Sequence, residues 1–360
     1  MQIKLVSDYQ YVGGVWVHVA YLAKALGTKG ASVKIITNAN PNVNTAELND
    51  ARKYDQTFYN SLAAAIETVH AAKDSVSLEH MLMDCELLHL HATFSFRDLV
   101  SCCGRVARNL KLPYIVTLHT MQSYRNVRDI IAERELVETL ENSKKIIAVS
   151  DGVKSSIEKL GIDTEHIEVI PNGVDSNVFR PLDKISCRKE LGLQTKGNIV
   201  LYVGRLVYEK GADLLVELTK KSKELDFVIL GYGEFAKYLQ SNNVTLLHYL
   251  PRTKMPLIYS AADVLILPSR TEGMPLVILE ALACGTPVVA SSIPGNNEIV
   301  DCSVGRLSGH SITSFYKKIY EVLSENKDLS LSKAARNKAK KYSWTTIADK
   351  TMQIYQNAKR

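Results

Sequence analysis

The chain has 360 residues, 46% of them hydrophobic and 23% charged, with a formal net charge of +6. One hydrophobic core rarely grows to that length, so two domains are expected, and the composition lies far from that of disordered or fibrous chains. No apolar run approaches the roughly 20 residues that a membrane-crossing helix needs.

Taken in chain order, residues 3–6 read as a strand that starts almost at once. No long apolar region with a cleavage site precedes it, so a cytoplasmic protein without a secretory signal is expected. Gly13-Gly14 follow a short loop and open a helix over about residues 15–29. Further strands read at 33–37, 87–90, 114–118, 146–149 and 167–170, separated by helix-length segments. That alternation is the order of a parallel sheet covered on both faces. Within it, residues 94–111 set Arg97, Arg105, Arg108 and Lys111 on one helical face, with Leu99, Val100, Cys103, Val106, Ala107 and Leu110 on the other. A basic face suits peripheral attachment to an anionic lipid, at about 1 kcal/mol per basic residue. An ordinary outer helix with a solvated basic side has the same pattern.

Pro171-Asn172-Gly173 and Pro181 mark a turn-rich junction. Beyond it the strand pattern resumes at 199–203, 227–230, 244–247, 264–267 and 288–290. The reading is an α/β protein with two doubly wound, Rossmann-like domains over 1–182 and 183–342, and a terminal segment over 343–360. In that segment Trp344, Ile347, Ala348, Thr351, Ile354 and Tyr355 share one helical face, expected to dock back on the N-terminal domain. Six cysteines (Cys85, Cys102, Cys103, Cys187, Cys284, Cys302) lack paired C-x-x-C spacing, which argues for free thiols and against disulfides or structural zinc. Cys102-Cys103 read as two small buried residues. The basic excess falls mostly after Lys317 and has no motif beside it, so no nucleic acid partner is expected.

Four constellations carry chemistry. Glycines at Gly13-Gly14 let backbone amides approach a ligand at a helix start, although no G-x-G-x-x-G is present. Gly204-Arg205 leaves a strand and Lys210-Gly211 opens the next helix, which puts two cations where open α/β sheets bind ligands, although two solvated surface charges would give the same pattern. The run from Glu272-Gly273-Met274-Pro275-Leu276-Val277 through Glu280 to Gly285-Thr286-Pro287 is a helix apolar nearly all round, with Pro275 in its first turn. A buried Glu280 needs a partner. A pair of ligand hydroxyls, as on a ribose, is preferred over an internal Arg or Lys. His18 lies in the first helix, while His91 and His119 end strands and face the crevice where a sugar can bind.

Together these residues resemble family 4 of the retaining glycosyltransferases, in the branch with phosphatidylinositol mannosyltransferases and the sugar transferase of glycolipid-anchor synthesis. The match includes Gly13-Gly14-Val15-Trp16-Val17-His18, His91, His119, Pro171-Asn172-Gly173-Val174-Asp175, Val203-Gly204-Arg205-Leu206, Glu209-Lys210-Gly211, Leu230-Gly231-Tyr232-Gly233-Glu234 and the pair Glu272 and Glu280. The resemblance implies the GT-B architecture, two domains facing across a cleft, and transfer of a hexose-type sugar from a nucleotide diphosphate donor to a lipid or growing glycan. A soluble acceptor, or a sugar-nucleotide epimerase on the same architecture, is the alternative. Arg205 and Lys210 would neutralise the diphosphate and Glu280 would bind the ribose. Glu272, with the amides of Gly273 and Met274, would hold the sugar, and the Leu276 and Val277 amides the phosphate. Gly231 would join the donor site, while Gly14 and the catalytic His119 would complete it. Gly13, Trp16, His18 and His91 fall on the acceptor side, with Trp16 either shaping the pocket or packing inward. Neither a cofactor nor a metal is implied.

Overall fold

The computed structural model describes residues 1–9, 13–38, 66–69, 75–93, 98–120, 127–326 and 329–359. The chain folds as two compact units, the first made of Met1–Asn172 with Trp344–Arg360 and the second of Gly173–Ser343. In sequence, therefore, the second unit is an insertion in the first.

Unit 1 is built on β1 (Gln2–Tyr9), β2 (Ser32–Asn38), β3 (Ile66–Val69), β4 (Leu87–Ala92), β5 (Tyr114–Leu118), β6 (Lys145–Ala148) and β7 (Ile167–Val169), in the order β3-β2-β1-β4-β5-β6-β7. Unit 2 is built on β8 (Ile199–Val203), β9 (Asp226–Leu230), β10 (Val244–Leu247), β11 (Val264–Leu267), β12 (Val288–Ser291) and β13 (Gly305–Ser308), in the order β10-β9-β8-β11-β12-β13. Every pairing is parallel. The central strands β4, β5, β8 and β11 are buried along their whole length, as parallel strands covered on both faces must be. This is the GT-B fold.

Two strands were not expected. β3 and β13 are both edge strands, where burial imposes less pattern. β13 carries Leu307 as its only large apolar residue, and β3 follows the run Leu62-Ala63-Ala64-Ala65, which has no strand period.

The terminal helix, Trp344–Ala358, belongs to unit 1 and buries Trp344, Ile347, Ala348, Thr351, Ile354 and Tyr355. It packs on the helix Gly13–Gly27, where the Tyr21 and Trp344 rings stack at 5.7 Å. Trp16 turns inward from that first helix and is 1% exposed, so it fills the core of unit 1 and does not shape an open pocket.

The segment that leaves unit 1 is held by unit 2. Val174 pairs with Ser343 in a parallel bridge, and its amide donates to the Tyr342 carbonyl at 2.7 Å. Arg336 donates to the carbonyls of Ser176 (2.8 Å), Phe179 (2.7 Å) and Ala283 (2.8 Å). Phe179 is fully buried.

The basic helix is an outer helix. Over Asp98–Asn109 its residues Leu99, Val100, Cys103, Val106 and Ala107 are buried. Arg105 pairs with Glu135 at 2.9 Å and Arg108 with Glu138 at 3.1 Å, both glutamates lying on the helix Val127–Glu141. Those partners offset the charge that a lipid surface would have used. Leu110 is exposed and Cys102 partly so, contrary to expectation, and Arg97 lies outside the described residues. Among the described residues no helix is long and apolar enough to cross a membrane.

Deleting buried methyl groups leaves a cavity as well as losing transfer energy, so Ile347→Ala, 1% exposed in the terminal helix, is expected to cost about 2–5 kcal/mol of unit 1 stability. Urea unfolding followed by unit-resolved hydrogen exchange checks this. A cost confined to unit 2 would contradict the docking.

Candidate active site

In unit 2 the strand order reverses between β8 and β11, and open α/β sheets bind ligands outside the carboxyl ends of strands at such a point. The loops after those two strands carry Arg205, Lys210, Glu272 and the start of the helix Leu276–Ala283. Arg205 is exposed, and among the described residues no ion pair engages its guanidinium; its carbonyl accepts a hydrogen bond from the Tyr202 hydroxyl at 2.7 Å. Lys210 ends a short turn, Tyr208–Lys210, and Gly211 follows with φ 70°. A Cβ on Gly211 would lie 2.0 Å from the Pro268 carbonyl oxygen, so the two loops touch backbone to backbone. At Gly231, which is buried after β9, a Cβ would lie 1.9 Å from the Gly204 carbonyl oxygen, so Gly231 supports the Arg205 loop from the other side.

These contacts bring two expected site residues together. Lys210 Nζ donates to Glu272 Oε1 at 2.6 Å, and Ser269 Oγ donates to the same oxygen at 2.7 Å. The turn is also tied down by Arg270, which sequence reasoning missed. Its amide donates to the Glu209 carbonyl at 2.9 Å, and its guanidinium grips both oxygens of Asp213 at 2.7 and 2.8 Å while stacking on Tyr208 at 3.6 Å. The hydrogen bonds from Arg270 hold the Asp213 carboxyl below its ordinary range.

Pro275 is the N-cap of the helix Leu276–Ala283, one position before the first turn where it was expected, and it lends no side-chain cap. The leading amides of a helix have no partner along it, so those of Leu276 and Val277 are available to an anion. Gly273 and Met274 are buried just before them, and every helix residue except Val277 is buried.

Glu280 is buried, but its partners are the chain's own. Arg252, from the turn Arg252–Lys254 after β10, donates to Oε1, and the Tyr259 hydroxyl donates to Oε2 at 2.8 Å. This corrects the order of preference that put ligand hydroxyls ahead of an internal cation. A buried carboxylate is tolerated when a counter-charge and hydrogen bonds meet it, and both were out of sight because Arg252 lies 28 residues away in sequence. Burial, reinforced by the Glu280 charge, pushes the Tyr259 hydroxyl far above its usual range, so it remains a donor.

Unit 1 has its own strand reversal, between β1 and β4. Gly13 and Gly14 are exposed at the start of the helix Gly13–Gly27. Four histidines cluster beyond. The His18 Nδ1 donates to Asn172 Oδ1 at 2.8 Å, and His89 bonds the Tyr355 hydroxyl and Thr117 Oγ1, each at 2.7 Å. His91 Nδ1 and His119 Nε2 share a hydrogen bond of 3.1 Å, and His91 Nε2 has no hydrogen-bond partner among the described residues. His91 and His119, expected to face the crevice, are buried and packed ring against ring with His18 and His89. His89 was missed, although His89-x-His91 on one strand puts both rings on the same face.

Burial lowers the pKa of His18 to about 4 against the opposing hydrogen bond to Asn172, and it takes those of His89, His91 and His119 well below the ordinary range, with charge on neighbouring histidines adding to the effect in these three. All four are neutral at pH 7. One ligand atom each of His18, His91 and His119 lies within 4.8 Å of the others.

The profile described as Glycosyltransferase Family 4 matches residues 12–178, and that described as Glycosyl transferases group 1 matches residues 183–342. The chain is 27% identical to an uncharacterized glycosyltransferase of Methanocaldococcus jannaschii, over 99% of this chain and 98% of that one. It is 26% identical to the GPI3 subunit of phosphatidylinositol N-acetylglucosaminyltransferase from Saccharomyces cerevisiae, over 99% of this chain and 82% of that one. Among solved structures, HepE of Anabaena, in complex with UDP and glucose, superposes with a TM-score of 0.80 at 17% identity, covering 99% of this chain and 100% of that one.

The histidine cluster sets a pH dependence. An unfolded histidine binds a proton near pH 6.5, while His18 in the fold does so only near pH 4, so acid favours the unfolded chain. Stability is complete above about pH 6.5 and is lost as pH falls toward 4, by up to about 3 kcal/mol for a shift of this size. Urea unfolding between pH 7.5 and 5 should show that slope, and His18→Asn with His89→Asn should flatten it. A flat wild-type profile would contradict burial of the cluster.

Proposed function

The chain belongs to glycosyltransferase family 4, and from that premise we propose that it is a retaining hexosyltransferase using a nucleotide diphosphate sugar. The observation that carries the donor reading is the convergence, at the β8/β11 reversal, of exposed Arg205, the Lys210–Glu272 pair and the open amides of Leu276 and Val277. Two cations and a helix N-terminus in one place suit a diphosphate. Lys210 has three donor protons, so it can hold Glu272 and a phosphate oxygen together. Glu272, held by Lys210 and Ser269, would accept from sugar hydroxyls, and the amides of Gly273 and Met274 would donate to them.

As the bond from the anomeric carbon to the diphosphate breaks, negative charge grows on the departing phosphate oxygen. Arg205, Lys210 and the helix amides stabilise it without a metal. In unit 1, Gly14 and His119 are proposed to serve the sugar, and Gly13, His18 and His91 the acceptor side. Among the described residues the hydrogen-bond partners of the histidine cluster outside itself are Asn172, Thr117 and Tyr355, none of them a carboxylate. The proposed course is attack by the acceptor from the face of the leaving group, which would retain configuration. The yeast relative's name supports a lipid-borne acceptor hydroxyl. The pairing of Arg105 with Glu135 and of Arg108 with Glu138 weakens the case for a general attraction of that helix to the membrane surface.

Removing one donor to a developing oxyanion typically costs about 10²–10³ in turnover, and Arg205→Ala and Lys210→Ala should each lose about that much while unfolding near the wild-type temperature. EDTA should leave the rate unchanged. Release of nucleoside diphosphate in step with glycosylated acceptor is the readout. Wild-type turnover in either variant, or loss with EDTA that magnesium or manganese restores, would overturn the reading, and an epimerised nucleotide sugar without transfer would point to an isomerase.

A further inference from the structure

An ionised carboxylate only accepts hydrogen bonds, and its two oxygens offer about four lone-pair sites. At Glu280 two of these are filled from within the protein, Oε1 by Arg252 and Oε2 by the Tyr259 hydroxyl at 2.8 Å. One donor on each oxygen fixes both the position and the plane of the group. The Arg252 guanidinium is itself held over the Phe179 ring at 4.9 Å, and Phe179 packs edge to face with Tyr259 at 6.1 Å. The Tyr259 main chain is anchored as well, its carbonyl accepting from Thr286 Oγ1 at 2.7 Å. Glu280 cannot swing without breaking a charged pair in a site only 3% exposed at its side chain.

What remains is one open acceptor direction on each oxygen, a match for two neighbouring hydroxyl donors. We propose that Arg252 and Tyr259 are positioning residues that set the Glu280 carboxylate to read the vicinal diol of a ribonucleotide, so that the chain discriminates against 2′-deoxynucleotides through them. The inference rests on the donor reading above. A group that only stabilised the fold would affect all nucleotides alike, whereas one that acts through Glu280 affects only those with both hydroxyls.

The test is calorimetric binding of UDP, GDP and ADP and of their 2′-deoxy counterparts to the full chain, taking the nucleotide that binds most tightly. A hydrogen bond to a charged acceptor corresponds to about ten- to a hundred-fold in affinity, so the wild-type chain is expected to prefer the ribose form by that ratio. Tyr259→Phe, which removes one hydroxyl and keeps the ring, should cut the ratio several-fold. Arg252→Gln should cut it about tenfold and Arg252→Lys should restore part of it, while 2′-deoxynucleotide affinity stays within about twofold throughout. A ratio unchanged in Tyr259→Phe and Arg252→Gln, or a parallel loss for both sugars, overturns the positioning role while leaving the donor reading intact. A wild-type chain that binds none of the nucleotides overturns the donor reading and the inference together.

Discussion

A parallel sheet that winds outward in both directions from one strand must leave a gap where the direction changes, because the two flanking loops depart to opposite sides. This chain makes that gap in each unit, at β1/β4 and at β8/β11, and its unusual chemistry lies beside the two gaps. In unit 2 the loops close on each other by backbone contact at Gly211 and Gly231. Those contacts leave no room for side chains where the backbones meet, and Lys210 and Glu272, carried by loops that touch at Gly211, meet at 2.6 Å.

The two units treat polar groups in opposite ways. In unit 2 a buried charge is balanced by a partly buried counter-charge, as at Glu280 with Arg252. Unit 1 buries four imidazoles as neutral groups, where desolvation removes the charge and hydrogen bonds to Asn172, Thr117 and Tyr355 absorb the remaining polarity. Each strategy satisfies the same requirement, that a polar atom withdrawn from water must find another partner. Among the described residues the fully buried Nε2 of His91 has no hydrogen-bond partner.

Much of the architecture was legible because parallel strands buried on both faces repeat apolar, β-branched runs, as in residues 199–203 and 264–267. The edge strands β3 and β13 were not, since β13 has Leu307 as its only large apolar side chain and pairs on one side alone. Local motifs pointed to Arg205, Lys210, Glu272 and Glu280, all within loops or helices next to glycine or proline. The residues that hold them were hidden, for Arg270 and Arg252 look like surface charges until the fold supplies Asp213 and Glu280. Trp16 shows the reverse, a residue beside a ligand-type motif whose side chain serves only the core.

The grip of Arg336 on Ser176, Phe179 and Ala283 bears on how the chain can be divided. The family match to the second half opens at residue 183, yet the segment just before it supplies the ring beneath Arg252 and two of the three carbonyls that Arg336 holds. A fragment cut at 183 would thus lack part of its own interior and leave a guanidinium short of acceptors. The physical seams lie at Asn172/Gly173 and Ser343/Trp344, where Val174 already lies beside Ser343. With its ends adjacent in this way, the inserted unit is suited to circular permutation or to grafting into another host.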